Sequence, residues 1–331
     1  MSDSVPVRIS LTPTRNEIWV IKPFLEAVSQ WAQHAIVADQ SSTDGTLEAL
    51  RANPRVTVLV NPSSTYDEAA RQRLLIGAAR KISGKRILLA LDADEALSAN
   101  VLQSNEWEKI ANAKPGTVLR FRWVNVLPGF EKAWIPPNLI ACGFVDDGSE
   151  HQGTTIHSRR VPWPQNAPVL DLHEIVVLHF QYVAWERVVS KHRWYQAWES
   201  LNHADKGPLQ IFREYNHMYG SWNDSEILPI KSEWLSGFDR FGIDFRSLKT
   251  EAVTWWDTEI VKLLRAHGTN HFRKIDIWGR DWQSFEEKRE NFSDPRSFFE
   301  ALAHKHLRRT QNRRAELSVR AFEKLLRLSG W

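Results

Sequence analysis

The most informative stretch of this sequence is Leu88-Leu89-Ala90-Leu91-Asp92-Ala93-Asp94-Glu95, in which an apolar run ends abruptly in three acids. A short apolar run of this kind, with Gly84 just upstream, is typical of a strand buried on both faces of a sheet. Because residues two apart on an extended strand point to the same side, we expect Asp92 and Asp94 to turn toward one pocket. Carboxylate oxygens suit Mg²⁺ or Mn²⁺, which bind a few carboxylates together with substrate phosphate oxygens. The alternative is a strand end with a solvated acidic turn.

The length and composition are those of an ordinary globular protein. The chain has 331 residues and a net charge of only +3, which gives no sign of polyanion binding, so no nucleic-acid partner is expected. The single cysteine, Cys142, excludes an intrachain disulfide. The first ten residues lack the pattern of a signal peptide, and no apolar run approaches the roughly 20 residues of a membrane-spanning helix. These observations predict a cytoplasmic protein.

The N-terminal region alternates between strand and helix patterns. Strands are predicted at 7–12, 35–39, 56–60 and 87–91, with helical spacing between them. Helical crossovers of this length predict a parallel sheet, whose strands share one carboxyl edge. Three of these strand ends carry distinctive polar groups, at 12–17, at Asp39 and at 92–94, and this favours a nucleotide pocket. The first turn has no glycine and no P-loop motif occurs, which argues against dinucleotide-binding and P-loop ATPase folds.

Four segments together resemble glycosyltransferase family 2. They are Arg15-Asn16-Glu17, Val37-Ala38-Asp39-Gln40-Ser41-Ser42-Thr43-Asp44-Gly45-Thr46, Ala70-Arg71-Gln72-Arg73 and Leu91-Asp92-Ala93-Asp94-Glu95. Their order and spacing are similar to that family's pattern from the N-terminus to about residue 125. The resemblance implies a GT-A fold, which is an α/β fold with a mostly parallel, Rossmann-like sheet, together with a nucleotide-sugar donor and Mn²⁺ or Mg²⁺. Gln72 departs from the family, which often has Asn after the Arg.

The resemblance also implies roles for individual residues. The nucleoside site would be lined by Thr12, Arg15 and Glu17. Asp39 would accept a hydrogen bond from the base, typically uracil, and Arg71 would face the nucleotide. Asp92 would approach the ribose and the metal, and Asp94 would bind the metal that bridges the diphosphate. Some GT-A enzymes add a late histidine to the metal site, for which His179 is the candidate here, with a hydrogen-bonded structural histidine as the alternative.

The family is mostly inverting, and an inverting transfer needs a base near the acceptor hydroxyl. The acidic turn at 144–151 offers Asp147 as the first candidate, with Asp146 and Glu150 as alternates and Glu174 as a more distant option. The loop that precedes this turn contains Trp134, which we interpret as a sugar platform. The competing interpretation is a plain hairpin turn, since Asp-Asp-Gly favours turns regardless of function.

The composition changes from Trp185 onward, where charged and aromatic residues recur at helical spacing. We therefore predict a GT-A catalytic domain over 1–182 and a mainly helical C-terminal region over 183–331. The last predicted helix has one apolar face, formed by Ala315, Val319, Phe322 and Leu326. The remaining surface is basic, with Arg313, Arg314, Arg320, Lys324 and Arg327. Such a helix either docks on the protein with its basic face solvated or contacts an anionic membrane at its inner face.

Three functional hypotheses follow. The first is a metal-dependent glycosyltransferase, which moves a sugar from a UDP-type donor to a glycan, lipid-linked or other acceptor. The second is a nucleotidyltransferase, which would ordinarily carry a glycine- and lysine-rich segment where this chain has residues 12–17. The third is a non-catalytic binding protein with a basic C-terminal tail. The four family-like segments favour the first.

Overall fold

The structure is a computed structural model that describes residues 5–61, 66–217, 226–251, 253–285 and 292–331. Its strands are β1 (Val7–Thr14), β2 (His34–Asp39), β3 (Val56–Val60), β4 (Arg86–Ala90), β5 (Glu95–Leu97), β6 (Val118–Val126), β7 (Lys132–Trp134), β8 (Ile140–Val145), β9 (Val169–His179) and β10 (Ile227–Pro229). Its helices are α1 (Ile18–Ser29), α2 (Thr46–Arg51), α3 (Glu68–Ala79), α4 (Glu106–Ala111), α5 (Trp185–Asn202), α6 (Pro208–Tyr215), α7 (Ser232–Asp239), α8 (Trp255–His267), α9 (Phe298–Arg309) and α10 (Leu317–Leu328).

The chain folds into two compact units. The first runs to Val183 and also includes Glu226–Lys249, so that β10 and α7 belong to it. The second begins at Ala184 and takes up again from Thr250 to Trp331. All the strands of the described residues lie in the first unit.

The strands of the described residues form one sheet, in the order β10-β7-β6-β8-β4-β1-β2-β3, with β9 paired to β5 and β6. The part β3-β2-β1-β4 is parallel, as predicted. Beyond β4 the sheet is mixed, because β8 runs antiparallel to both β4 and β6. The predicted α/β class, with a helical C-terminal region, is confirmed, and the architecture is consistent with a Rossmann-like GT-A fold.

The order of the parallel strands places a crevice between β1 and β4. The chain moves outward from β1 to β2 and β3, and then returns to the other side of β1 to form β4. Such a reversal leaves an opening at the carboxyl ends of the two strands, which is where open α/β sheets bind ligands. The strands here are apolar on both faces because helices cover them: Ile9, Leu11 and Leu88 pack with Leu75 and Ile76 of α3.

Residues 155–157 form bends, and 154–158 contain no strand. The segment pairs with α3 instead: the backbone N–H of Ser158 donates to Glu68 Oε2 (2.8 Å), and that of Glu68 donates to the Thr155 carbonyl (3.0 Å). Residues 62–65, which follow β3 in the sequence, lie outside the described residues.

β9 contains a bulge that sets the position of its carboxyl end. The strand is parallel to β6, but its register shifts between Leu172 and Val176. The backbone N–H groups of the three intervening residues, 173–175, donate to the buried carboxylate of Glu106 at 2.7, 3.0 and 2.9 Å. A carboxylate that accepts three backbone hydrogen bonds offsets the ladder bonds that these residues lose. Beyond the bulge, His179 stands opposite Asn125.

In the second unit, a small apolar core joins α6, α9 and α10 and includes Phe212, Leu307 and Leu326. Arg213 is buried beside it and donates to Glu323 (2.9 Å), to the Leu307 carbonyl (2.9 Å) and to Gln311 (2.6 Å). The predicted inner face of the last helix is therefore docked, except that Ala315 precedes α10 and is exposed. Within the described residues, no helix combines the length and apolarity needed to cross a bilayer.

Candidate active site

Interlocking turns hold the carboxyl ends of β1 and β2 together. The backbone N–H of Asn16 donates to Ser42 Oγ (2.8 Å), and that of Thr43 donates back to Asn16 Oδ1 (2.7 Å). The N–H of Glu17 donates to Thr46 Oγ1 (2.8 Å). Asn16 and Gly45 have φ values of 56° and 98°, in the left-handed region that Asn and Gly tolerate best. These two turns explain why both segments are rich in small polar residues.

Asp39 lies at the end of β2, at the edge where sequence predicts it, and its side chain is almost fully buried. Its carboxylate accepts hydrogen bonds from the Ser42 N–H (3.0 Å), Ser42 Oγ (2.5 Å) and Thr14 Oγ1 (3.2 Å). Three donors occupy most of the capacity of a carboxylate. Asp39 therefore organises the turn that follows β2, and this structural role does not depend on a bound ligand.

The other residues expected at the nucleoside site are spread along the same edge. Thr12 is fully buried inside β1, with its hydroxyl 3.4 Å from Ser10 Oγ. Arg15 and Glu17 follow the end of β1 and are partly exposed, and Glu17 Oε2 accepts from Trp19 Nε1 (2.5 Å). Arg15 and Glu17 are thus positioned to meet a ligand, whereas Thr12 is interior.

Arg71 lies in the first turns of α3, which begins beyond the carboxyl end of β3. Its guanidinium lies over the ring of Tyr66, at 5.7 Å from the centroid. Its Nε atom is buried and has no hydrogen-bond partner among the described residues. A buried guanidinium N–H without an acceptor is costly, so Arg71 has the capacity to bind an anionic ligand group at this edge.

A buried ion network follows β4. The fully buried carboxylate of Glu95 accepts from Arg160 Nη1, from Arg160 Nη2 (3.0 Å), from Trp123 Nε1 (2.9 Å) and from the backbone N–H of Asp92 (3.0 Å). Arg160 Nη2 also donates to Asp92 Oδ2 (3.0 Å). Burial alone would lower the pKa of the Arg160 guanidinium, but the two carboxylates raise that pKa well above its ordinary value. Arg160 therefore stays charged and ties Asp92 to the protein interior.

Asp94 and His179 face each other at the same edge. His179 Nε2 lies 3.5 Å from Asp94 Oδ2, and the backbone N–H of Phe180 donates to the Asp94 carbonyl (2.8 Å). The His179 ring is buried and stacks on Trp123 with centroids 4.7 Å apart. The two residues predicted as metal ligands from distant parts of the sequence are thus brought together.

Asn125 fixes the orientation of the His179 ring. Asn125 Nδ2 donates to the Trp134 carbonyl (3.2 Å), so its Oδ1 is the atom that faces His179 Nδ1, at 2.8 Å. An amide oxygen only accepts, so Nδ1 carries a proton, and Nε2 is the ring nitrogen that faces Asp94 and carries the lone pair whenever the ring is neutral. Two electron-pair donors that face each other repel, unless a cation or a proton lies against both.

A divalent metal fits this pair but not the whole predicted set. A carboxylate and an imidazole held by a hydrogen bond from behind suit Mn²⁺ in particular. Asp92, the third predicted ligand, is instead engaged by Arg160. The described residues contain no preassembled group of three or more His, Cys, Asp or Glu side chains around one point. Water and the oxygens of a bound diphosphate are suited to supply further ligands.

Across β6 from His179 lies a carboxylate that the sequence did not indicate. Trp134 stands directly opposite Asn125, and Ile227 stands opposite Trp134. Paired strand residues share a face of the sheet, so the Trp134 ring lies on the face that holds His179. Glu226 Oε2 accepts from Trp134 Nε1 (2.7 Å). This contact places the Glu226 carboxylate beside the aromatic ring predicted as a sugar platform.

The acidic turn after β8 lies at the opposite edge of the sheet. Val145 pairs with Ile87, and the backbone N–H of Asp146 donates to the Arg86 carbonyl (3.0 Å) at the start of β4. Six residues of extended chain separate Arg86 from Asp92, which is about 20 Å. Because β8 runs antiparallel to β4, the structure does not bring Asp147, Asp146 or Glu150, the predicted acceptor-side bases, together with Asp92 and Asp94.

Asp146 itself has a structural role. It accepts hydrogen bonds from Arg80 (2.9 Å) and Arg86 (2.9 Å), and its side chain is fully buried. Burial would raise the pKa of Asp146, but the hydrogen bonds from both arginines outweigh it and lower that pKa. Asp147 and Glu150 are exposed. Glu174 lies in the bulge of β9, five residues before His179, and accepts from Ser104 Oγ (2.6 Å).

Comparisons with known proteins leave the family open. No family model matches the sequence, and no curated protein matches it. Among solved structures, the chain is similar to residues 1–349 of TarS from S. aureus, with 12% identity over 81% of this chain and 83% of that chain and a TM-score of 0.36.

Two other solved structures are similar at the same low level. HddC from Yersinia pseudotuberculosis has 9% identity over 55% of this chain and 97% of that chain, with a TM-score of 0.32. A mannose-1-phosphate geranyltransferase from Thermus thermophilus has 16% identity over 44% of this chain and 50% of that chain, with a TM-score of 0.28. Similarity at this level does not show the activity of this chain.

Proposed function

We propose that this protein is a glycosyltransferase that takes a sugar from a nucleotide-diphosphate donor, of UDP type, and passes it to a glycan, lipid-linked or other acceptor. One observation supports this more than any other. The carboxyl ends of β1, β2, β4 and β9 bring Glu17, Asp39, Asp94 and His179 to a single edge, across the crevice where α/β sheets bind nucleotides.

The donor would bind along this edge with its nucleoside toward β2. The turn organised by Asp39 would receive the base, and Arg15, Glu17 and Arg71 would meet the nucleotide. A guanidinium with a free N–H is suited to phosphate oxygens, and Arg71 provides one. Asp92 would approach the ribose from the position in which Arg160 holds it.

Mn²⁺ or Mg²⁺ would be held by Asp94 and His179, with the diphosphate completing its ligands. Such an ion stabilises the negative charge that develops on the departing diphosphate. The chain's own contribution is to present two fixed donor atoms: Asn125 sets the His179 tautomer, and the backbone of Phe180 holds the Asp94 loop.

Donor screening tests the reaction class. Purified protein is mixed with individual nucleotide sugars and Mn²⁺ or Mg²⁺, and released nucleoside diphosphate is measured with and without chelator. Asp94→Asn should reduce release by orders of magnitude, because a neutral amide is a poorer ligand for a hard divalent ion. Asp147→Asn is the matched control, and it should behave like the unmodified protein. Release of pyrophosphate instead of nucleoside diphosphate would identify a nucleotidyltransferase.

For an inverting transfer, we propose that Glu226 is the acceptor-side base. It lies beside Trp134, which pairs with β6 along the edge opposite the one that His179 occupies. Glu226→Gln should lower kcat by about 100-fold or more, the usual scale for loss of a general base, while donor affinity stays nearly unchanged. Normal turnover by a folded Glu226→Gln protein, alongside normal turnover by Asp147→Asn, would contradict the inverting-base mechanism itself.

A further inference from the structure

The outer face of α10 carries an apolar ridge that docking of the helix does not explain. The inner face, with Val319 and Leu326, is buried in the second unit. On the opposite side Leu317, Leu325 and Leu328 are 81%, 63% and 77% exposed. Together with the exposed Ala321 they follow one another at spacings of four, four and three residues, which is one face of a helix. This ridge is about 16 Å long at 1.5 Å per residue.

A row of cations borders the ridge on one side. Arg320, Lys324 and Arg327 recur at helical spacing next to the leucines, and all three are exposed. Residues 313–331 contain five Lys or Arg and two Glu. Both carboxylates are engaged: Glu316 pairs with Arg313 (2.5 Å), and Glu323 turns inward to Arg213 (2.7 Å) and also meets Arg327 (3.3 Å). The outer face therefore presents apolar side chains and positive charge, with its acids already neutralised.

We infer that the outer face of α10 binds an anionic lipid bilayer, lying parallel to the surface. The leucines would enter the interface, while Arg320, Lys324 and Arg327 extend toward headgroup phosphates, as in interfacial amphipathic helices. The helix is already folded and is held by Arg213 and Glu323, so binding does not have to order it. Binding to a nucleic acid would account for the cations but not for the three exposed leucines. Docking into an apolar protein groove would account for the leucines but not for the row of cations.

Vesicle co-sedimentation of the full chain tests this. Partition is measured on neutral phosphatidylcholine vesicles and on vesicles with about 30% phosphatidylglycerol, without any donor or metal. The unmodified protein should bind the anionic vesicles more strongly. Arg320→Glu with Lys324→Glu should lower partition on anionic vesicles by roughly 30-fold or more, since each cation near such a surface contributes about 1 kcal/mol. Leu325→Ser with Leu328→Ser should lower it by roughly tenfold on both vesicle types.

Arg51→Glu with Lys81→Glu is the matched control, because both residues are exposed in the first unit and the change in net charge is the same. This variant should partition like the unmodified protein, and melting curves should confirm that all variants remain folded. Equal losses in the control and in the α10 charge variant would overturn the inference, as would failure of the unmodified protein to bind anionic vesicles. Binding to duplex DNA without vesicle binding, abolished by the α10 charge variant, would assign the face to nucleic acid instead.

Discussion

Replacing Glu95 by Gln should destabilise the protein strongly, and the size of the effect follows from four contacts. The Glu95 carboxylate is fully buried and accepts hydrogen bonds from Arg160, Trp123 and the backbone of Asp92. The introduced amide has the same shape but keeps only one acceptor oxygen. Its NH₂ group would face the N–H donors of Arg160, Trp123 and Asp92. The Arg160 charge is then left to Asp92 alone, whose side chain is 41% exposed.

Breaking a buried pair from one side costs roughly 3–5 kcal/mol, because a charge remains buried without its partner. We therefore expect Glu95→Gln to lower the free energy of unfolding by about that amount, measured by urea denaturation at pH 7. Asp92→Asn is the matched comparison. It removes a partly exposed contact to the same arginine, and should cost about 1 kcal/mol or less.

A double-mutant cycle separates the charge effect from simple loss of packing. Adding Arg160→Met to Glu95→Gln removes the guanidinium that has lost Glu95 as its partner, so the double variant should recover stability relative to the sum of the two single variants. The coupling should exceed about 1.5 kcal/mol. A Glu95→Gln protein that loses less than about 1 kcal/mol, with no coupling to Arg160, would refute the network as the support of the Asp92 strand end.

Three further predictions concern single side chains. Asp39→Ala should lower the free energy of unfolding by about 2–3 kcal/mol, because three donors lose their acceptor. Thr14→Val removes one of those donors and should lower it by about 1 kcal/mol. Equal urea midpoints for the two variants would contradict the role of Asp39 in organising the turn. Asp146→Asn should cost roughly 3 kcal/mol at pH 7. Because the folded pKa of Asp146 lies below its unfolded value of about 4, this contribution is present above pH 4 and disappears as pH falls through the folded pKa, so the two unfolding curves should converge in acid. Asn125→Leu should weaken Mn²⁺ binding, measured by calorimetry, by about 10- to 100-fold, as the loss of a residue that hydrogen-bonds a metal ligand does. Asn125→Asp keeps an acceptor for Nδ1 of His179 and should retain more of the Mn²⁺ affinity. Identical affinities in the two variants would show that the His179 ring needs no such partner.

The parts of the site that the sequence predicts are those built from local signals. Asp39, Asp92 and Asp94 each follow closely after an apolar run, and the parallel order of β1, β2 and β4 places such ends on one edge. The turns at 15–17 and 41–46 are also predicted from local sequence, because small polar residues and a glycine favour turns. His179 is predicted through the family resemblance, and it too follows an apolar run, at 175–178.

The remaining parts depend on pairings across long stretches of chain. The sequence marks the turn at Asp146 correctly, but it does not say which edge of the sheet the turn occupies. That is decided by the antiparallel pairing of β8 with β4. Likewise Asn125, Arg160 and Glu226 acquire their roles only through partners 54, 65 and 92 positions away. Each reads in isolation as an ordinary polar residue, so no local pattern separates it from a surface side chain.

The bulge in β9 determines which face of the sheet His179 occupies. Side chains on a strand alternate between faces, so Leu172 and His179, seven positions apart, would point to opposite faces of an uninterrupted strand. Three extra residues between Leu172 and Val176, an odd number, cancel that inversion and put His179 on the face of Asn125. If the bulge kept three residues after a deletion of one of them, the register beyond it would slip by one residue and the imidazole would turn to the other side of the sheet. The face that His179 occupies therefore depends on the number of residues in the bulge, and Glu106 holds those residues in place through three backbone hydrogen bonds.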